Sequence, residues 1–350
     1  MSPFSPFKIG SAALLALGTL LPLSFAQSVK AQEVNIYSSR HYQTDERLYS
    51  DFEKATGIHV NRLEGGGDAL IERISQEGRN SPADILLTVD AGMLWRAEDA
   101  GLFQSTRSDV LEDRIPAHFR HPKGDWFGFS SRARLIFVNK DLADPASISR
   151  YEDLADPEWR GQICIRSSSN VYNLSLMASL IAHLGEEKAQ DWATGVVENF
   201  ARKPQGGDTD QLRAAATGEC AIAVANSYYF VRLMQSDDPA DQEVVSKLAV
   251  IFPNQDDRGT HVNISGAGIV KNAPNKAEAR AFLEYLSSDS AQRYFAAGNN
   301  EYPVVDIKAD NASLQPWERS RPMTSMSRFW EKISPRHSNC SIGPVGDKPL

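Results

Sequence analysis

The chain has 350 residues, with 37 Lys and Arg against 45 Asp and Glu and a formal net charge of −8. Composition is that of an ordinary globular protein without low-complexity tracts or repeats, and the acidic balance makes nucleic acid and anionic membrane poor partners. The length exceeds one comfortable hydrophobic core and points to two domains.

In chain order, the first feature is "MSPFSPFKIGSAALLALGTLLPLSFAQSVKAQEV". Lys8 precedes an apolar run from Ile9 to Ala26 broken by Gly10, Gly18 and Pro22, and Val29-Lys30-Ala31 offers the small residues that suit signal peptidase. Residues 1–31 therefore read as a signal peptide cleaved near Ala31, which places the mature chain in the periplasm. The interrupted run suits an anchor poorly, and no later apolar stretch approaches spanning length. Cleavage removes Lys8 and Lys30, leaving 319 residues with 35 basic against 45 acidic groups, a formal charge of −10.

From Glu33 onward, short apolar runs alternate with amphipathic stretches, the pattern of parallel strands covered by helices. "VNIYSS" precedes a helix in "DERLYSDFEKATG" closed by Gly57; "HVNRLEG" precedes "DALIERISQEG"; "ADILLTVD" precedes "AGMLWRAEDAG". The same alternation returns as "GQICIRS" before "VYNLSLMASLIAHLG" and as "CAIAVAN" before "SYYFVR". Between the two groups lies "RARLIFVNK", and late in the chain "HVNISGAGIVKNAP" is a second long apolar strand. Two such segments let the chain cross from one domain to the other and back.

The expected architecture is therefore two discontinuous α/β domains joined by a two-crossing hinge. One lobe comprises residues 32–132 with 258–308, the other 133–257 with 309–350. After the second crossing, "NKAEARAFLEYLSSDSAQRYFAAGNNEYPVV" supplies two helices and an extended end. Cys164 and Cys220 each lie in or beside a strand-like run, so they are candidates for a disulfide in an oxidising compartment; spacing alone leaves the pairing open. Cys340 is then left over.

At the level of phrases, "VNIYSSRHYQTDERLYSDFEKATGI", "SPADILLTVDAGMLWRAEDAGLF", "RSSSNVYNLSLMASLIAHLG" and "GECAIAVANSYYFVRL" resemble the periplasmic solute-binding proteins of the ferric iron-binding family. The resemblance covers essentially all of the mature chain. It implies the type II periplasmic binding fold, a non-enzymatic role in capturing Fe³⁺ as cargo, and delivery by a monomer to the membrane permease of an ABC importer. Its residue-level markers are the Tyr228-Tyr229 pair, Tyr172 after "RSSSN", and His41-Tyr42 after the first strand. Some members complete the iron shell with carbonate or phosphate; the presence of both His41 and Tyr42 favours the tyrosine-rich, anion-independent type. Members with a carboxylate ligand carry Glu after the "PAD" strand, where this chain has Asp90, which is left out of the ligand set.

The chemistry of these residues agrees. Ligands in open α/β sheets sit beyond the carboxyl ends of strands, and His41, Tyr42, Tyr172, Tyr228 and Tyr229 fall in three such loops. At the first turn of a helix two consecutive tyrosines project past its end, with Asn226 or Ser227 as N-cap. Phenolate oxygens are hard, basic donors suited to a small trivalent ion. Four tyrosinates on Fe³⁺ sum to −1, which Arg232 on the flank of the same helix offsets, with Arg132 at the first crossing as a candidate for a supporting contact to the shell or a contact to an anion. Taken singly, a tyrosine beside a strand end is more often a packing residue, and His41 a solvated loop histidine. Rival readings are a binding protein for an organic anion or polyamine, and a secreted enzyme. The second lacks a Gly-x-Ser-x-Gly elbow, a His-Glu-x-x-His pair or a phosphate loop.

Overall fold

Every strand-helix unit read from the sequence forms in the computed structural model, which describes residues 1, 32–40, 42–307 and 314. In chain order the elements are β1 (Glu33–Ser38), α1 (Glu46–Thr56), β2 (His59–Glu64), α2 (Gly67–Glu77), β3 (Ile85–Thr88), α3 (Ala91–Asp99), α4 (Asp109–Arg114) and β4 (Phe127–Asn139). There follow β5 (Ile163–Cys164), α5 (Val171–Leu184), α6 (Glu186–Glu198), α7 (Asp208–Ala216), β6 (Ile222–Asn226), α8 (Ser227–Met234), α9 (Pro239–Lys247) and β7 (Leu248–Ile251). The chain returns through β8 (Val262–Ile269), α10 (Lys276–Leu286), α11 (Asp289–Asn299) and β9 (Tyr302–Pro303). The signal segment, His41, most of the tail and Cys340 lie outside the described residues.

Helix α1 illustrates the local logic. Leu48, Tyr49 and Phe52 are buried on one face, and the helix stops at Gly57, whose φ of 73° is the left-handed conformation that glycine adopts without a Cβ penalty. Phe52 then packs edge-on against Phe282 of α10 at 5.0 Å, an aromatic contact that adds about 0.5–1.5 kcal/mol to the burial itself.

The strands form one mixed sheet in the order β2-β1-β3-β8-β4-β6-β5, with β7 and β9 also paired to β4. β1, β2 and β3 are parallel, as expected for strands joined by crossover helices. β8 differs: it runs antiparallel to both β3 and β4, because it re-enters from the second half of the chain without a crossover helix.

β4 carries the first crossing. Its residues Phe127–Ala133 pair with β8, and Arg134–Val138 pair with β6, so the partner changes between Ala133 and Arg134. The hydrophobic residues separate accordingly. One cluster gathers β1, β2, β3, β8 and the first part of β4 around Ile36, Ile85 and Phe127. Two others flank the second part of β4, with Leu135 and Phe137 on one face and Ile136 and Val138 on the other.

Cys164 and Cys220 form a disulfide, which resolves the pairing that spacing left open. It ties β5 to the residue two positions before β6 across a separation of 56 residues, a cross-link worth about 2–4 kcal/mol.

Candidate metal centre

The site begins with strand alternation. Ser130, Arg132 and Arg134 occupy every second position of β4 and share one face, yet all are buried. Arg132 stands opposite Asn263 of β8, and Ser130 opposite Ser265, so these five polar side chains form a floor where the chain crosses between its cores.

Arg134 organises what stands on that floor. Its guanidinium donates to Asp208 and to Oδ1 of Asn226 at 3.1 Å, and through Nη2 to Asn173 at 2.8 Å. Asn173 lies in the first turn of α5 and Asn226 is the last residue before α8, so one cation fixes the starts of both tyrosine-bearing helices. Asn226 therefore occupies the N-cap position of α8 without capping it. This corrects the sequence expectation: its carbonyl oxygen is engaged by Arg134. The hydroxyl of Ser227, the other candidate, accepts from the backbone of Ala133. Helix α5 is capped in the ordinary way, with Asn170 accepting from the Tyr172 N–H at 3.0 Å.

With those helix starts fixed, the tyrosines converge. The Tyr228 hydroxyl donates to the Tyr172 hydroxyl at 3.0 Å. Its ring stands edge-on to Tyr42 at 6.3 Å and lies 4.3 Å from that of Tyr229. Tyr228 is 2% exposed, and Tyr42, Tyr172 and Tyr229 are half-buried. Four phenols from three segments thus meet around one hydroxyl. His41, the remaining predicted ligand, is outside the described residues.

Burial raises the pKa of all four phenols, and that of Tyr228 rises well above the ordinary value. Charge on neighbouring phenols adds to the rise for Tyr172, Tyr228 and Tyr229, whereas Arg132 pulls Tyr42, Tyr172 and Tyr228 back down. The cluster is consequently neutral at physiological pH, and it ionises only when a strong cation displaces its protons.

The cations around it fall into two kinds. Arg40 is wholly committed: it is buried, paired with Asp45 at 2.8 Å and Glu301 at 3.1 Å, and lies 4.8 Å from the Tyr42 ring centre. Arg134 and Arg166 share Asp208. Arg132 is different, since no carboxylate among the described residues pairs with it: its Nη1 donates to Ser265 at 3.1 Å, and its buried Nη2 has no hydrogen-bond partner among the described residues. Its guanidinium lies 5.8 Å from the Tyr172 ring centre. A buried guanidinium without a carboxylate is costly unless negative charge develops nearby. Arg232 is exposed and stacks its guanidinium 5.7 Å over the Tyr229 ring, an outer position compared with Arg132.

Sequence reasoning missed Arg166, Asp208 and Glu301. Arg166 had a signal, since it lies in the loop after β5 that leads to Tyr172. Asp208 and Glu301 had none, because each reaches the centre only by tertiary contact. Asp90, excluded as a ligand, is fully engaged by hydrogen bonds. The described residues also bring Glu98, His121 and Asp125 together, a grouping that shares no residue with the tyrosine cluster.

Residues 80–325 match the family model described as bacterial extracellular solute-binding protein. Iron uptake protein A2 of Synechocystis sp. is 57% identical over 301 residues, covering 85% of each chain. Among solved structures, Trichodesmium FutA in complex with iron and citrate ligands superposes with a TM-score of 0.80 at 53% identity, over 86% of this chain and 95% of that one. The ferric binding protein from Campylobacter jejuni gives 0.81 at 41% identity, over 86% and 96%. These likenesses span both halves of the fold and carry the two-domain architecture of periplasmic binding proteins rather than that of an enzyme. The chain belongs to the bacterial extracellular solute-binding protein family.

Proposed function

We propose that this protein captures ferric iron outside the cytoplasm and delivers it to the membrane permease of an ABC importer. The ion is held in the cleft between two lobes, residues 32–132 with 258–308 and residues 133–257 with 309–350. Tyr42, Tyr172, Tyr228 and Tyr229 are the tyrosinate ligands, with His41 beside Tyr42. The observation that carries the reading is the meeting of four phenols around the Tyr228 hydroxyl, with no carboxylate of the described residues bonded to it. Oxygen donors of this hardness suit Fe³⁺ better than softer divalent ions. The similarity to an iron uptake protein and to a ferric binding protein supports the same cargo. A shell of net charge −1 would give the spare charge of Arg132 its partner.

The direct test is titration of the purified protein with ferric citrate. Tyrosinate-to-iron charge transfer is expected to colour it red to violet, saturating at one ion per monomer; a colourless protein in excess ferric citrate rejects the ferric reading. Closure of two lobes about a hinge is the usual response to such a ligand. The loaded form should therefore be more compact in small-angle scattering, and superimposable profiles would count against it. Export supplies a further expected result: mass spectrometry of the periplasmic protein should find Gln32 as its first residue. A retained N-terminal segment would overturn cleavage after Ala31.

A further inference from the structure

We infer that Asp90 is a latch that holds Tyr172 in position, an inference that rests on the lobe division and ferric reading above. Asp90 follows β3 and caps α3, its Oδ1 accepting from the backbone N–H groups of Gly92 at 2.7 Å and Met93 at 3.3 Å. Oδ2 accepts from Asn263 Nδ2 at 2.6 Å and from the Ser175 hydroxyl at 2.5 Å. The side chain is 1% exposed, and all four of these partners are neutral donors.

A buried carboxylate satisfied only by neutral donors depends on each of them, because a missing donor leaves charge uncompensated in a poorly solvated place. Three of the four donors, from Gly92, Met93 and Asn263, belong to the part of the chain that carries β3, α3 and β8. Ser175 belongs to α5, whose Leu176 and Leu180 pack in a separate hydrophobic cluster. The Ser175 bond therefore joins two separately cored parts of the molecule, and it forms only when α5 lies against the corner between β3 and α3.

Ser175 is also three residues after Tyr172, so the two side chains share one face of α5. Asn263, the neighbouring donor on Oδ2, is the register partner of Arg132, whose guanidinium faces Tyr172. The latch and the cation thus act on the same tyrosine from adjoining points. Asp90 has no accepting position left for a metal; it is a positioning residue, and opening the lobes requires breaking its bond to Ser175.

Ser175→Ala tests this without disturbing the α3 cap or the Asn263 bond. Iron release from the loaded protein to excess competing chelator should become about tenfold faster, the lower end of what a hydrogen bond to a charged group contributes. The charge-transfer band should keep its position, since all four tyrosines remain, and Ser175→Thr, which retains the hydroxyl, should restore slow release. Release at the unmodified rate in Ser175→Ala, or acceleration accompanied by a shifted band, overturns the latch. If the unmodified protein stays colourless in ferric citrate, the ferric reading fails by itself. The latch is then judged by scattering: Ser175→Ala should raise the radius of gyration, and an unchanged value rejects it.

Discussion

Replacing Tyr228 with phenylalanine is expected to remove the charge-transfer colour and lower ferric affinity by roughly a hundredfold or more, beyond the 10–100-fold typical of outer-shell partners. The ring stays, and with it the 4.3 Å contact to Tyr229 and the edge contact to Tyr42. What disappears is the hydroxyl at the hub. In the iron-free protein its loss deprives Tyr172 of a hydrogen bond, a cost of about 1–3 kcal/mol, so the fold should persist with a modestly lower Tm. Tyr229→Phe should also weaken binding sharply.

Phe230 provides the contrast on the same helix. It is buried, packs 4.9 Å from Phe137 and contributes to the core beneath the site. Phe230→Leu should therefore lower thermal stability while leaving the colour in place. Isothermal competition with citrate and a visible spectrum separate the cases. If Tyr228→Phe and Tyr229→Phe both bind iron like the unmodified protein, the ligand assignment is wrong.

Why the tyrosines were legible in sequence while their surroundings were not follows from the range of the interactions involved. Tyr42, Tyr172 and the Tyr228-Tyr229 pair each follow a short apolar strand, and the carboxyl ends of strands in an α/β sheet face a common crevice. Local pattern was enough. The charges that set the site's electrostatics come from further away: Arg40 meets Glu301 across 261 positions, and Arg134 meets Asp208 across 74. No periodicity encodes such pairs. Asn226 shows the same limit at short range, since N-cap preference correctly located the start of α8, but tertiary demand from Arg134 took the side chain that propensity assigned to the helix. The antiparallel course of β8 was equally hidden, because an apolar strand reads alike in either direction.

Proton release should be the second large effect. All four phenols are shifted upward by burial, so from an ordinary value near 10 they are fully protonated at neutral pH. Every phenol that ligates must then surrender its proton to the metal. The apparent ferric affinity should fall as pH drops, with more than one proton exchanged per ion and a limiting slope approaching about four, one for each tyrosine. Competition against citrate at a series of pH values, corrected for citrate protonation and ferric hydrolysis, measures that slope. A slope near zero around neutrality rules out tyrosinate ligation from a protonated site.

The arginines set where the loss begins. Positive charge near a phenolate favours the ionised form, so removing it lets protons compete better and moves the midpoint of iron loss to higher pH. Arg132 is buried, faces Tyr172 at 5.8 Å and lowers the pKa of three of the four phenols; Arg132→Gln should raise the midpoint by about one unit. Arg232 acts in the same direction from an exposed position over the Tyr229 ring, where solvent screens it, so Arg232→Gln should raise the midpoint by only a few tenths of a unit. Acid titration of the coloured protein followed at its visible maximum reads both midpoints. A larger shift for Arg232→Gln than for Arg132→Gln would reverse the assignment of the principal counter-charge.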